Sequence, residues 1–464
     1  MYGMSWICCR FGIFYVFSSL FVKLFIHLLE VQCLKFNANK VMSMSFIMIL
    51  ALVMLVSLLS VRWVFFKVLK IAKDKHLVDN PDARKLQKAP VPVVGGLAVF
   101  FGVVIGVLVG VSMCGLLSLF ADLDFESGMF SCLLPVVLSM VVMLYAGAMD
   151  DILGLTPTSR FVLEILVVLT IMLSTGKSID SFHGMWGIEN FSWYCAVPLT
   201  VFAGVGIINA INMVDGVNGL SSGLCILASL LFGLSFYSAG DIPNALLAFS
   251  MAAALMPFLV HNVFGNTSRM FIGDAGTMVM GLLMTWFVLS TMHSGIPLGG
   301  TDGGSVIAMV LSFLSVPVAD TLRVMFMRML NGRSPFSPDR THLHHAFIGL
   351  GVSPSITALS EVVINILVVA FWWTLACCGV SPELQLYGVV VASSILVWGS
   401  YFFLEHERSS NSRKARWLRN FSPKTHFGSR EWWQRISFFL DSPEYSERER
   451  KNLRERLDRK FGNL

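Results

Sequence analysis

Long apolar runs recur through most of this 464-residue sequence, and they restrict the fold more than any other feature. A helix needs about 20 apolar residues to cross roughly 30 Å of hydrocarbon. The runs between charged or Gly/Pro-rich breaks predict eleven membrane spans. They lie near 45–66, 93–120, 130–149, 161–175, 195–213, 219–239, 244–264, 277–295, 305–325, 356–378 and 385–404. The predicted fold is therefore all-α, that of a polytopic integral membrane protein.

Composition divides the chain into three parts. Only 14% of the residues are charged, against about a quarter in soluble domains, which excludes an ordinary soluble protein. Residues 43–404 form the predicted multi-span domain. Residues 1–42 form an N-terminal extension that we expect to be dispensable for chemistry: an extra helix, a signal-like segment or sequence before a start at Met42 or Met44. Residues 405–464 form a basic tail with 15 of the 34 Lys and Arg residues.

The tail alternates basic residues with aromatic ones, such as Trp432 and Phe439, before a charged stretch from Glu447 to Lys460. Two interpretations stay open. The tail is either an amphipathic helix lying against anionic lipid or a partly ordered, solvated helix. Nucleic-acid binding is expected less than either.

The distribution of charge orients the predicted spans. Successive spans alternate sides, so the breaks between them form two sets. One set contains Arg84, Lys85, Arg160 and many other basic residues, whereas the other contains only Lys177. By the positive-inside rule the first set is cytoplasmic.

Acidic residues beside a bilayer are costly and usually mark a functional site. Those on the predicted cytoplasmic breaks are Asp79, Asp82, Asp150, Asp151, Asp215, Asp274 and Asp339. Adjacent carboxylates at Asp150 and Asp151 repel each other unless a cation relieves them, and Mg²⁺ is the natural cation beside phosphates. Any one of these aspartates could be a turn residue. Together they predict a magnesium and diphosphate site, which Mn²⁺ could also serve.

Two further groups contain residues capable of chemistry. His342, His344 and His345 form a loop HxHH without a partner Cys, which favours phosphate contacts over a transition-metal site. Asp320 and Arg323 are three residues apart near the end of a predicted span and are read as an ion pair on one helix face.

Five ordered motifs run through residues 45–404: DNPDARK with PVPVVGG, the DD pair at 150, NMVDGVNGL, FIGDAG and NGRSPFSPDRTHLHH. This series resembles the polyprenyl-phosphate N-acetylhexosamine-1-phosphate transferases. The last motif is most similar to the branch that transfers GlcNAc 1-phosphate from UDP-GlcNAc to undecaprenyl phosphate.

The resemblance implies a role for each matching residue. Asp150 and Asp151 would lie near the attacking phosphate, with Asp150 activating it. Asp274 would be the main Mg²⁺ ligand, beside Asp151. The implied substrate-binding residues are Asp79, Arg84 and Lys85 in the first loop, Asp215 and Asn218 at the nucleotide, Asn262 and Phe271 at the uracil, and Arg340, His342, His344 and His345 at the phosphates or sugar. Three positions depart from the family pattern: Gly154 and Asn218 where relatives have Asp, and Gln87 where they have His.

The implied activity transfers a sugar 1-phosphate from a UDP-N-acetylhexosamine to undecaprenyl phosphate and releases UMP. It would take place at the cytoplasmic face of a bacterial inner membrane and start a cell-surface polysaccharide such as the O-antigen of lipopolysaccharide. The same chemistry with phospho-MurNAc-pentapeptide or a 6-deoxy-amino sugar is an alternative. A secondary transporter, with Glu164 and Glu361 in an ion path, is an alternative of another class. The partners expected are the two substrates, membrane lipid and, in a homodimer, a second copy of the chain.

Overall fold

The computed structural model of the protein describes residues 44–79, 89–121, 128–298, 303–335, 341–410, 422–444 and 447–461, together with residues 413 and 416. The extension 1–42 therefore lies outside the described residues. The described α-helices are α1 (Met44–Asp74), α2 (Gly95–Ala121), α3 (Gly128–Leu153), α4 (Pro157–Thr175), α5 (Trp193–Val214), α6 (Leu220–Ala239), α7 (Ile242–Phe264), α8 (Gly273–Ser294), α9 (Ser305–Phe313), α10 (Ser315–Leu330), α11 (Leu343–Gly349), α12 (Pro354–Cys377), α13 (Pro382–Ser409, with a π-helical segment at Ser394–Gly399), α14 (Glu431–Asp441) and α15 (Glu447–Phe461). Two short strands, β1 (Val78–Asp79) and β2 (Val91–Pro92), pair antiparallel.

Ten of the described helices are long and apolar enough to cross a membrane: α1 to α8, α12 and α13. The bent pair of α9 and α10 gives an eleventh span if it is counted as one. The prediction of an all-α, polytopic membrane protein is confirmed.

The predicted span at 305–325 is interrupted, because α9 and α10 meet at an angle of 81°. Pro317 has no N–H to donate to the carbonyl of Phe313, and its ring crowds that carbonyl. The side chain of Asn365 compensates: its Nδ2 donates to the Phe313 carbonyl at 3.1 Å, and its Oδ1 accepts from the N–H of Val316 at 3.1 Å. The exposed backbone groups of the break are thereby satisfied inside the protein, as a hydrocarbon environment requires.

Helix α8 lies at the centre of the bundle, and its side chains are buried from Ala275 to its last turn. Glycines allow two neighbouring helices to approach its first turn. A Cβ atom on Gly96 of α2 would lie 2.3 Å from Gly276, and one on Gly147 of α3 would lie 2.4 Å from Ala275. Such close contacts through small residues are typical of membrane helix pairs. They hold the beginning of α8 against α2 and α3.

The C-terminal segment packs against the membrane bundle. The ring of Trp433 lies 4.5 Å from that of Phe264 at the end of α7, and the hydroxyl of Ser353 donates to the carbonyl of Thr425 at 2.7 Å. The buried residues of α14 are Ser437, Leu440 and Asp441. The interpretation of the tail as a solvated helix is therefore wrong for α14, because one of its faces is covered by the protein.

Candidate active site

Asp151 connects two motifs that lie far apart in the sequence. Its carboxylate, in the last turn of α3, accepts hydrogen bonds from the backbone N–H groups of Asp274 at 2.9 Å and Ala275 at 3.2 Å. These N–H groups begin α8, where they have no partner within the helix and where the helix dipole favours an anion. The structure thus brings together Asp151 and Asp274, two of the residues that the sequence assigned to one site.

Arg160, in α4, is the cation of this acidic group. Its Nη1 lies 3.0 Å from Oδ2 of Asp150 and 3.7 Å from Oδ1 of Asp274, and its Nε lies 3.4 Å from Glu164. In the sequence, Arg160 contributes only to the charge bias that orients the spans. The available signal was the short turn after the Asp pair, in which Thr156 caps α4 and returns the chain toward α3.

Asn212 is a second residue of the site that the sequence motifs did not predict. Its Nδ2 donates to Oδ1 of Asp274 at 2.6 Å and to the hydroxyl of Thr277 at 2.7 Å. Asn212 begins the NMVDGVNGL motif, in which only Asp215 and Asn218 had been singled out. An amide at the end of a span, in a motif that already carried an aspartate, was the signal that could have identified it.

Asp215 follows α5 and accepts a hydrogen bond from the hydroxyl of Ser221. Burial raises the pKa of Asp215 to about 7; the bond from Ser221 opposes this rise, while the negative charges of Asp274 and Asp151 add to it. Asp215 is therefore electrostatically coupled to the other two aspartates. Asn218, in the same turn, is half-buried.

We expect the difference in thermal stability between Asp215→Asn and the wild type to depend on pH. Protonated Asp215 is favoured in the folded protein, so stability present below its ordinary pKa of 3.8 is lost as the pH rises through about 7. Asparagine does not ionise. The unfolding midpoint of the variant should therefore rise relative to that of the wild type between about pH 4 and about pH 7. Thermal unfolding of both proteins in detergent across this pH range measures the difference between their midpoints. A difference that does not change with pH would contradict the prediction.

The three histidines lie in different surroundings. Nδ1 of His342 is 2.8 Å from Oδ2 of Asp320, and Arg323 donates to Oδ1 of Asp320 at 2.7 Å. The predicted ion pair between Asp320 and Arg323 is confirmed, and it also anchors the start of α11. His344 is buried against the turn after α5, since a Cβ atom on Gly216 would lie 2.3 Å from its Nε2.

His344 is the histidine that contacts the turn containing Asp215. Burial lowers the pKa of His344 to about 3, and the charges of His345 and His342 lower it further. A neutral imidazole can donate one hydrogen bond and accept another. His345 is half-buried, and its ring lies 4.4 Å from that of His344. Contacts of the three side chains with a UDP-sugar stay a prediction.

The remaining predicted residues occupy varied positions. Asn262 is buried and donates to the carbonyl of Met270 at 2.8 Å. Phe271 is half-buried, and its N–H donates to the carbonyl of Pro92 at 2.8 Å. Their contacts with uracil stay predictions. Asp79 is half-buried on β1. Five predicted residues lie outside the described part of the chain: Asp82, Arg84, Lys85, Asp339 and Arg340.

The carboxylates of Asp151 and Asp274 suit Mg²⁺. Across the residues that the structure describes, no three His, Cys, Asp or Glu side chains form a group that could hold a metal alone. Mg²⁺ does not require one, because it binds through one or two carboxylates and takes its other oxygens from phosphate and water. The side chain of Asp274 is 36% exposed. Each carboxylate oxygen has two lone pairs, so hydrogen bonds to Asn212 and to backbone N–H groups leave capacity for a metal.

The chain is similar to one protein family and to named proteins of two bacteria. The family described as "Glycosyl transferase family 4" matches residues 133–292. The undecaprenyl-phosphate alpha-N-acetylglucosaminyl 1-phosphate transferase of Escherichia coli (strain K12) is 30% identical over 290 residues, which cover 61% of this chain and 72% of that protein. A probable undecaprenyl-phosphate N-acetylglucosaminyl 1-phosphate transferase of Bacillus subtilis (strain 168) is 29% identical over 308 residues. These residues cover 66% of this chain and 79% of that protein. The chain belongs to glycosyl transferase family 4.

Membership of glycosyl transferase family 4 confirms the resemblance inferred from the five motifs. The protein is thus a multi-pass membrane sugar-phosphate transferase. The region matched by the family, 133–292, contains Asp150, Asp151, Asp215 and Asp274. In this member of glycosyl transferase family 4, the acidic centre therefore lies within the matched region, and the histidines follow it.

Proposed function

We propose that this protein transfers GlcNAc 1-phosphate, or a related N-acetylhexosamine 1-phosphate, from a UDP-sugar to undecaprenyl phosphate and releases UMP. The observation that carries the proposal is the contact of Asp151 with the start of α8, where Arg160 lies 3.7 Å from Asp274. Two carboxylates and a guanidinium from three helices meet at one end of the spans. Relatives at 30% identity are named for this reaction.

The reaction exchanges one phosphorus–oxygen bond for another. An oxygen of the lipid phosphate bonds to the β-phosphorus of the UDP-sugar, and the bond from that phosphorus to the bridging oxygen breaks, so that UMP leaves with this oxygen. Such transfers require mainly positioning and neutralisation of charge. We assign the acceptor phosphate to Asp150 and Arg160. Because this phosphate is already anionic near neutral pH, orienting it contributes more than removing a proton.

Mg²⁺, or Mn²⁺ in its place, is proposed to bind Asp274 with Asp151 as a second ligand. The bound ion would stabilise the charge that develops on the departing UMP. The bond from Asn212 fixes the orientation of the Asp274 carboxylate. Asp215 and Asn218 are proposed to border the nucleotide, with the histidines at the phosphates or the sugar.

The proposed location of the site is the cytoplasmic face of a bacterial inner membrane. Lys73 near the end of α1, Arg160 at the start of α4 and Arg328 near the end of α10 belong to the basic set of breaks, whereas Lys177 belongs to the other. The positive-inside rule supports this orientation. The product would begin a lipid-linked polysaccharide such as O-antigen.

Transfer by the purified, full-length protein tests the proposal. The protein in nanodiscs receives undecaprenyl phosphate and, separately, each of several UDP-amino sugars. We expect release of UMP and a lipid product heavier by one sugar phosphate, with UDP-GlcNAc the preferred donor. If UMP were released only with UDP-MurNAc-pentapeptide or only with a UDP-linked 6-deoxy-amino sugar, the assignment of GlcNAc as the transferred sugar would be wrong. Uptake of a solute by proteoliposomes without release of UMP would favour a transporter and refute the proposal.

A further inference from the structure

Asp441, in the C-terminal helix α14, binds the loop that leads to Asp274. Its carboxylate accepts hydrogen bonds from the backbone N–H groups of Thr267 at 3.2 Å and Ser268 at 3.0 Å, and from the hydroxyl of Ser268 at 2.6 Å. The N–H of Asn266 reaches the same carboxylate at 3.2 Å. Only 1% of Asp441 is exposed. A buried carboxylate that accepts from three successive N–H groups fixes the backbone of those residues.

The loop between α7 and α8, residues 265–272, is held at two points. Asp441 binds its first half, and in its second half the N–H of Phe271 donates to the carbonyl of Pro92 at 2.8 Å. Five residues lie between Ser268, the last residue bound by Asp441, and Asp274. The position of this loop therefore determines where Phe271 and Asp274 stand relative to a bound donor.

The charge of Asp441 also compensates a cation in the same loop. Burial lowers the pKa of the Arg269 guanidinium, and the negative charge of Asp441 opposes this shift. The Nε atom of Arg269 is buried without a hydrogen-bond partner in the described part of the chain. Neutralising Asp441 would leave this cation less compensated and would weaken the hydrogen bonds that hold the loop.

We propose that Asp441 is a positioning residue that holds the loop 265–272 so that Asp274 and Phe271 meet the UDP-sugar. The inference rests on the proposed function and adds to it that the C-terminal tail serves the donor. The proposed contacts of the lipid acceptor, Asp150 and Arg160, belong to α3 and α4 instead.

Steady-state kinetics of full-length variants in nanodiscs test this role. Asp441→Asn removes the charge, and Asp441→Glu retains it. Glu431→Gln is the matched control, because it removes the same charge from an exposed position of α14. We expect the KM for UDP-GlcNAc to rise about tenfold in Asp441→Asn, with the KM for undecaprenyl phosphate nearly unchanged. Asp441→Glu should recover part of this loss, and Glu431→Gln should resemble the wild type.

The outcomes separate the positioning role from the proposed function. A wild-type protein that releases no UMP refutes the function. If the wild type is active, an unchanged KM for UDP-GlcNAc in Asp441→Asn refutes the positioning role, and so does an equal rise of both KM values. A purely structural tail would lower thermal stability without separating the two KM values. If Asp441→Asn does not fold, the two KM values of Asp441→Glu are compared with those of the wild type instead. The same outcomes then support or refute the positioning role.

Another surface of α14 carries an independent inference. Its exposed apolar side chains are Trp432, Ile436 and Phe439. Their spacing of four and then three residues places them along one side of the helix, which advances by about 100° per residue. Ser437 and Asp441 face the protein from a different side. Glu431 and Arg435 form an ion pair on a third side of the helix, with 2.9 Å between Nε of Arg435 and Oε1 of Glu431.

We infer that this apolar side lies in the headgroup region of an anionic bilayer. Helix α14 and the turn after it are fixed to the ends of two membrane spans. Trp433 of α14 packs on Phe264 of α7, and Glu444, in the turn, forms an ion pair with Lys73 of α1. Aromatic side chains at that level partition into the interface. The helix that follows, α15, has seven Lys and Arg residues against four Asp and Glu, a balance that attracts anionic lipid.

Photo-crosslinking tests the lipid contact in the full-length protein. p-Benzoylphenylalanine replaces Phe439 or, as the control, Glu431, in nanodiscs that contain phosphatidylglycerol. We expect lipid adducts, detected by mass spectrometry, to be at least about fivefold more abundant at position 439. Equal adduct yields at the two positions, or crosslinks from position 439 to a second copy of the chain, would refute the inference.

Discussion

Replacing Asp274 with asparagine is expected to lower Mg²⁺-dependent release of UMP by on the order of a thousandfold, while the protein stays folded and inserted. Asparagine has nearly the same shape as aspartate, and its carbonyl can still accept the bond from Asn212. It lacks the negative charge with which Asp274 is proposed to bind Mg²⁺. Initial rates measured over a series of Mg²⁺ concentrations, with UDP-GlcNAc and undecaprenyl phosphate, give the size of the loss.

Asp180→Asn is a suitable control for this experiment. Asp180 lies between α4 and α5, at the other end of the spans, and pairs with His293 at 3.9 Å. Its replacement should leave the rate within about twofold of the wild type, because an exposed ion pair contributes little. If Asp274→Asn retained full activity at the Mg²⁺ concentrations used for the wild type, the metal assignment would have to be abandoned.

The second large effect is expected from Arg323→Met, which should reduce the free energy of unfolding by about 3–5 kcal/mol. Methionine retains an apolar stem but removes both hydrogen bonds from Arg323 to Asp320, at 3.2 and 2.7 Å, and with them the guanidinium charge. The Asp320 carboxylate then keeps its contacts with His342 and with the N–H of Leu343. Asp320 is 1% exposed, so water cannot replace the lost guanidinium. His342 depends on the same carboxylate, and α11 should therefore loosen.

Thermal or denaturant unfolding in detergent measures this loss. Arg333→Met, at an exposed position in the loop after α10, should change stability by less than about 0.5 kcal/mol. Combining Arg323→Met with Asp320→Leu should recover part of the loss, because the double variant also removes the buried carboxylate that Arg323 pairs with. If Arg323→Met were as stable as the wild type, the buried pair of Asp320 and Arg323 would not be what holds α11 in place.

Hydropathy was sufficient to predict most of the architecture, because spanning a bilayer requires long apolar helices whatever their packing. It could not predict the break between α9 and α10. That break depends on the missing N–H of Pro317 and on the side chain of Asn365, 48 residues later in the chain. Hydropathy averaged over a window of residues does not detect the loss of a single backbone N–H group.

The acidic centre could be predicted only in part. Charge bias and span counting brought Asp151 and Asp274 to one face, and the structure joins them by direct hydrogen bonds. Neither method could select Arg160 among many cytoplasmic cations or Asn212 among many amides. Their selection depends on how far α4 and α5 turn after their loops, which is a property of helix packing.

The docking of the tail could not be predicted for a related reason. The contact of Asp441 with Ser268 joins residues that are 173 positions apart. A single carboxylate in a segment rich in both charges carries no pattern that distinguishes a buried partner from a solvated one. The Trp and Phe residues of the tail did indicate an amphipathic helix, and α14 has the expected polar and apolar sides.

From Ala275 to its last turn helix α8 is covered by other helices, which would separate the proposed catalytic centre at its start from the surrounding lipid. Changes in bilayer thickness or in detergent chain length would act first on the outer helices, which surround α8. The rate of the chemical step should consequently vary little among host membranes, while access of the long lipid substrate varies more. Such an arrangement would let one enzyme work in membranes whose composition changes with growth conditions.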